Sequence, residues 1–387
     1  MNKIILLIDF AEEYSKGLLR GINKYSREHG PWIFCQMPLF LRETLGIDGI
    51  LKWAQEWEAD GIIGQLYNDQ AIDKLVAAGI PVIAQDFKER FDSIPNISGA
   101  YHETGVMAAE YFLRKGFKHF AFYGFENIVW SRERGEGFDA RIRKAGYKVH
   151  FFEHQKDQAS ELWYYKPSSL SQWLLSLPKP IAIMTCDDRL GSHITETCRH
   201  TYIRIPEQVA VLGVDNDVML CELSDPPLSS IAQDAEKGGY EAARLLDAMI
   251  RKETDTYSDI LVMPTQIVTR QSTDIYATHD QYIASTLKYI HQNIDKNLQV
   301  DEVVKQVPLS RRSLEIRFQE ITGYPIYKYI QNLRIEKFSQ KLLDTDLSVF
   351  EIAVDLGMND SKNIARQFRQ IKGCTPLEYR NRFLAGR

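Results

Sequence analysis

LSVFEIAVDLGMNDSKNIARQFRQIKGCTPLEYR, residues 347–380, contains two short helical patterns separated by a glycine. Ile352, Ala353 and Leu356 share a face of the first pattern, which stops at Gly357, a residue that adopts the left-handed C′ conformation without a Cβ penalty. Asp360 can cap a second helix, whose inner stripe is Ile364, Phe368 and Ile371. Ala353 is small, so the second helix can cross closely. The pattern is a helix-turn-helix. An ordinary helical hairpin has the same apolar spacing. However, Arg366, Arg369 and Lys372 lie on the outer helix, and a helix entering a DNA groove needs positive and hydrogen-bonding side chains.

An echo lies upstream in LQVDEVVKQVPLSRRSLEIRFQEITG, residues 298–323. Ser310 can cap its second helix, and Arg311, Arg312 and Arg317 supply the cations. IYKYIQNLRIEKFSQKLLDTD (326–346) lies between the copies as a connecting helix. Two such units on one helix can read successive major-groove segments roughly 34 Å apart. Charge follows the same division. Residues 281–387 hold 17 Lys and Arg against 12 Asp and Glu, whereas the chain as a whole carries a net charge of −5. A basic end on an acidic body points to an anionic partner, most often nucleic acid.

These residues resemble the AraC-type DNA-binding domain, through LRIEK at 333–337, LSVFEIA at 347–353, GMND at 357–360 and FRQIKGCTPLEYR at 368–380. The resemblance covers about 100 residues. It implies binding to double-stranded DNA, with Arg311 among the DNA-binding residues and base-edge readers at Arg312, Glu315 and Ile316 in the first unit. In the second unit the readers fall at Ser361, Lys362, Ala365 and Arg366. Chemically, Arg312 and Arg366 suit guanine, Glu315 suits cytosine, and Ile316 and Ala365 could pack on thymine methyls. One departure is Pro308, where the first turn usually has glycine, so a turn of altered geometry is expected there.

Toward the N-terminus the pattern is different. Apolar runs at 4–9, 32–37, 61–66, 80–85, 119–125, 147–152, 181–186 and 209–214 alternate with amphipathic stretches such as YSKGLLRGINKYSREHG. Short runs followed by 10–15-residue helical patterns mean βαβ units and parallel sheets. Such sheets bind ligands just beyond the carboxyl ends of their strands. Several of those ends are polar: Asp9 after IILLI, Asp187 and Asp188 in IAIMTCDDRLGSH (181–193), and Asp215 after VLGV. Two adjacent carboxylates at the end of a buried strand are costly unless used. One is expected in a cleft and the other capping the helix that follows.

SGAYHETGVMAAEYFLRKGFKHFAFYG (98–124), WSRERGEGF (130–138), VAVLGVDND (209–217) and LSSIAQDAEKGGYEAARLL (228–246) resemble the sugar-sensing core of LacI-type repressors and periplasmic sugar-binding proteins. The resemblance implies a two-lobed α/β core with a sugar between the lobes. It places Arg134, Asp187, Asp188, Asp215 and Gln233 along that cleft, with Asp9 and Trp130 as neighbours. Carboxylates accept from sugar hydroxyls, arginine donates in a fixed fork, and aromatic rings cover apolar pyranose faces. Arg134 could instead sit in a surface ion pair, Asp215 could cap a turn, Trp130 could be plain packing, and Asp9 could be a turn residue. The LacI-type headpiece is absent, and the core is joined at its other end to an AraC-type reader. This order implies a sugar-responsive regulator, an activator of pentose use with xylose or a similar pentose as effector, acting as a homodimer and engaging RNA polymerase.

The expected division is a sensor over 1–272, a linker over 273–280 and a DNA reader over 281–387, with helix-turn-helix units at about 299–320 and 348–371. No cofactor, metal or membrane partner is expected. The five cysteines, Cys35, Cys186, Cys198, Cys221 and Cys374, have neither zinc-type nor C-x-x-C spacing and fit reduced thiols in a cytoplasm. GEGFDA (135–140) matches a dinucleotide fingerprint but does not directly follow a strand, as that fingerprint must. Ser192 and His193 are adjacent on a helix and point about 100° apart, so they form no nucleophile–base pair. An enzyme using the same cleft would need a nucleophile–base–orienter set, which the sequence does not offer.

Overall fold

The computed structural model describes residues 1–37, 39–66, 72–154, 168–253, 258–274, 280–345, 347–358 and 361–384. The strands are β1 (Lys3–Leu7), β2 (Ile33–Gln36), β3 (Gly61–Gln65), β4 (Val82–Gln85), β5 (Asn96–Gly99), β6 (Phe120–Phe125), β7 (Val149–His154), β8 (Ile181–Thr185), β9 (Val209–Val214), β10 (Ser229–Gln233), β11 (Ile260–Val262) and β12 (Pro264–Val268). Helices of the same region are α1 (Glu13–His29), α2 (Leu39–Trp57), α3 (Ile72–Ala77), α4 (Tyr101–Arg114), α5 (Val129–Lys144), α6 (Ser168–Ser176), α7 (Asp188–His200), α8 (Val218–Leu223) and α9 (Ala235–Ile250).

Two six-stranded sheets result. The first has order β11-β5-β4-β3-β1-β2 and is parallel; the second has order β12-β10-β9-β8-β6-β7, with only the β10–β12 pair antiparallel. β8 and β9 are buried along their whole length, as strands covered by helices on both faces must be. Each sheet with its helices is one lobe. The chain passes between the lobes three times, near Ala100, at Gln233–Asp234 and at Met263. This is why α9 packs on α1 in the first lobe although the strand before it lies in the second. The short runs β5, β11 and β12 were not legible as strands in the sequence, and neither was β10.

From Gln281 onward the described residues form helices only: α10 (Gln281–Gln292), α11 (Val300–Val304), α12 (Arg311–Thr322), α13 (Ile326–Asp344), α14 (Val349–Asp355), α15 (Ser361–Lys372) and α16 (Pro376–Leu384). α13 gives Tyr329 and Ile330 to one apolar core and Ile335, Phe338 and Leu342 to another. One long helix therefore carries two helix-turn-helix units, α11–α12 and α14–α15. Ile352, Ala353 and Leu356 are buried under α15 with Ile364 and Phe368. Gly357 is left-handed, with φ of 63°, and Met358 N–H donates back to Ala353 O at 2.8 Å, a C-cap geometry that needs glycine. The turn of the first unit, at 305–310, has no residue of positive φ. The proline-bearing turn thus does have a different geometry. Ser310 caps α12 by accepting from Ser313 N–H; Asp360 lies outside the described residues.

Candidate functional site

A cavity of about 780 Å³ opens between the two lobes at the carboxyl ends of β1, β3, β4, β8 and β9. Asp9, Trp130, Arg134, Asp187, Asp188 and Asp215 all line it. The four aspartates follow the ends of three strands, β1, β8 and β9, and the other two residues come from α5.

Arg134 is 3% exposed. Its Nη1 donates to Cys186 O at 2.5 Å and its Nη2 to Asp215 Oδ1 at 3.1 Å. The guanidinium carbon lies 5.3 Å from the Tyr101 ring centre and 5.5 Å from that of Trp130, so two aromatic rings hold its plane. The buried Nε makes no hydrogen bond. A surface ion pair is therefore excluded: the group is an internal cation that makes two hydrogen bonds within the protein. Burial raises the Asp215 carboxyl to about 6, with Arg134 pulling the other way. Asp215 and Asn216 have φ of 97° and 51°. Positive φ in a non-glycine residue is strained and collects at functional sites.

The adjacent aspartates divide their work differently from the expectation. Asp187 is the cap of α7, its Oδ1 accepting from Leu190 N–H at 2.8 Å, while its Oδ2 accepts from Arg189 at 3.2 Å on the cleft side. Asp188 turns into the second lobe. Its Oδ1 accepts from Ser230 Oγ at 2.6 Å and its Oδ2 from Asp217 N–H at 2.8 Å. Burial, followed by the charge of Asp215, pushes its carboxyl well up. A single residue, Asp187, thus both caps α7 and faces the cleft, while both carboxylate oxygens of Asp188, the first residue of α7, are engaged within the second lobe.

Asp9 also combines two roles, accepting from Ala11 N–H at 2.8 Å in a turn while lining the cavity. Trp130 packs edge-on against Phe125 as well as against Arg134. Gln233 does not line the cavity; it sits at a lobe crossing, with both amide heavy atoms buried and without a hydrogen bond. Sequence reasoning missed Gln65, Gln85, Tyr101 and Arg189, which also line the cavity. Gln65 and Gln85 end β3 and β4, so the strand-end rule would have found them. Glu12, in the loop after β1, also lines the cavity and pairs with Arg189 across the lobes at 3.0 Å. A second interlobe clamp joins Arg90 to both oxygens of Glu133 at 2.5 and 2.7 Å. Seven carboxylates and three cations line the cavity, a balance that favours an uncharged polyol over an anion.

Among the DNA-side residues, Arg312, Ile316 and Arg366 are exposed and Ala365 is half-buried. Arg311 pairs with Asp301 at 2.7 Å. Glu315 Oε2 accepts from Ile326 N–H at 3.2 Å, so this carboxylate also serves the start of α13. Ser361 and Lys362 belong to α15, but their side chains lie outside the described residues. The glycines of GEGFDA have a packing role: a Cβ on Gly137 would fall 2.1 Å from His102 O, so α5 can lie against α4 only with glycine there.

A periplasmic binding protein-like domain matches residues 109–273, and a helix-turn-helix domain matches 303–382. The chain is 31% identical over 105 residues to the regulatory protein SoxS of Salmonella typhimurium, covering 27% of this chain and 98% of that one. The chain belongs to the AraC-type family of DNA-binding transcription regulators. Its sensor half widens the likeness. The chain is 29% identical over 390 residues to the xylose operon regulatory protein of Escherichia coli (strain K12), covering 98% of this chain and 97% of that one. The solved structure of the xylose-binding transcription activator xylR matches with a TM-score of 0.62 at 27% identity, over 98% of this chain and 97% of that one. The regulator thus pairs a periplasmic-binding-protein-like core with a C-terminal reader. None of its described helices is long and apolar enough to cross a membrane.

Proposed function

We propose that the protein is a cytoplasmic, sugar-responsive transcription activator whose effector is xylose or a similar pentose. The observation that carries this reading is the buried Arg134, held between Tyr101 and Trp130 beside Asp187 and Asp215 in a cleft joined to a DNA reader. Asp187 and Asp215 accept from sugar hydroxyls, the guanidinium N–H groups of Arg134 not used within the protein donate, and the rings cover the apolar sugar face. Each charge-assisted bond contributes about 1.5–3 kcal/mol. Names of the relatives add support: one regulates a xylose operon and one binds xylose.

Sugar favours the closed lobes in proportion to its preference for them over the open form. In a homodimer this shifts how two readers meet DNA and RNA polymerase. Arg312 and Arg366 read bases, and Arg311 with the neighbouring α12 and α15 side chains positions the helices. An enzyme in the same cleft has less support. His193, which follows Ser192, does not line the cavity; it is bonded to Tyr123 at 3.0 Å, and burial lowers its pKa. A thermal-shift screen over pentoses and hexoses, followed by DNA binding with each hit, tests the reading. Stabilisation by D-xylose without its consumption is expected; no stabilisation by any sugar contradicts it.

A further inference from the structure

Two polar routes lead from the cleft to one short segment at the end of the sensor. The first is α4, about 20 Å long. Tyr101, its first residue, lies against Arg134 in the cleft, and near its far end Tyr111 OH meets Thr273 Oγ1 at 2.7 Å and Thr269 Oγ1 at 3.3 Å. α4 moves with α5, which carries Arg134, because a Cβ on Gly105 would fall 2.1 Å from Arg134 O. The second route starts at the strained turn beside Asp215. Asn216 Oδ1 accepts from Arg270 Nη1 at 3.0 Å. Thr273 Oγ1 then donates to Ser229 Oγ at 2.7 Å, and Ser272 Oγ to Val211 O at 2.6 Å. Residues 270–273 are thereby tied to the second lobe.

The next residue, Asp274, reaches the DNA-binding helices. His291 of α10 sets its Nδ1 directly against the Asp274 carboxylate, and His291 Nε2 shares a 2.7 Å hydrogen bond with Tyr329 OH of α13. α13 is the helix on which both helix-turn-helix units are mounted. Burial raises the Asp274 carboxyl, but the bond from His291 and the charges of His291, Lys115 and Lys337 outweigh it, so the group stays ionised at lower pH than usual. A cavity of about 410 Å³ beside the contact is lined from one side by Tyr111, Arg114 and Lys115 and from the other by His291 and Tyr329. Among the described residues, this contact therefore combines polar bonds with a void beside them and has room to rearrange.

We propose that the Asp274–His291–Tyr329 contact is the joint through which the state of the cleft reaches the DNA-binding helices. The proposal rests on the sugar-sensor reading, and its test separates the two. Amide hydrogen exchange of α10 and α13 is measured in the full chain with and without D-xylose, for the unmodified protein, Asp274→Asn and His291→Gln. Calorimetry gives D-xylose affinity for each. The joint predicts that sugar changes exchange of α10 and α13 in the unmodified chain. Both variants lose that change while their affinity stays within about the lower limit of allosteric coupling, fivefold. Variants that transmit the unmodified response overturn the proposal. If D-xylose binds none of the three proteins, the effector assignment fails, and the ligand-free comparison decides the joint. Loss of a charge-assisted bond is expected to raise local opening of α10 by about 10- to 100-fold in Asp274→Asn; unchanged exchange overturns the joint.

Discussion

Arg134→Lys changes the cleft while keeping its charge. The guanidinium makes two bonds within the protein, to Cys186 O and Asp215, and leaves Nε–H unused. A lysine ammonium reaches one of these positions and cannot reproduce the planar fork or the stacking between Tyr101 and Trp130. It still neutralises Asp215, so the larger cost of about 3–5 kcal/mol for a stranded buried charge does not arise. The sugar loses one charge-assisted bond, about 1.5–3 kcal/mol. This corresponds to an affinity about 10- to 150-fold weaker, since about 1.4 kcal/mol is a factor of ten. Calorimetric titration with D-xylose measures the loss, and thermal unfolding shows whether the core has survived. Affinity within about twofold of the unmodified chain, below 0.5 kcal/mol on the same scale, would refute the assignment of Arg134 to the sugar.

Asp188→Ala should destabilise the sensor more than Asp187→Ala, because it strands the Ser230 hydroxyl and the Asp217 N–H at about 1–3 kcal/mol each. Asp187→Ala costs a helix cap of about 1 kcal/mol and weakens sugar binding; melting and titration of both variants check the order. Asp215, raised to about 6 in the free protein, must be ionised to accept two hydroxyls, so sugar binding releases its proton. D-xylose affinity should therefore fall as pH drops from about 7.5 to 5, and a flat profile by calorimetry contradicts the role. The same group, with Asp86 also raised to about 6, contributes stability to the free sensor that is present below pH 4 and is lost as pH rises through 6. Arg366→Ala should cost about 1–3 kcal/mol on a selected binding site and relax preference at one base. Equal loss on every DNA in a competition assay would make it a phosphate contact.

The fold was legible where a segment's own pattern decides its structure. IAIMTC and VAVLGV are almost wholly apolar because both faces of their strands are covered, and the left-handed Gly357 marked a turn that no other residue makes cheaply. β5, β10 and β12 were not legible because polar residues break up their apolar pattern (NISG, SSIAQ, PTQIV), and β11 because it is three residues long; β11 completes the first sheet only by pairing with β5. The strand-end rule found Asp9, Asp187, Asp188 and Asp215. It could not find Tyr101 or Arg189, which reach the cleft from helix starts, nor show that Asp188 turns inward to Ser230. Side-chain direction at a strand end depends on the neighbouring strand's donors, and those are tertiary. The Asp274–His291 contact was invisible for the same reason, since nothing in either local sequence requires the other.

A calorimetric titration of D-xylose into the full-length chain at pH 7.5 tests the central claim most directly. Saturable binding with one sugar per chain, abolished or strongly weakened in Arg134→Lys, is the result expected of a sugar sensor built around this cleft. Absence of binding by D-xylose and by every other neutral pentose or hexose would contradict it.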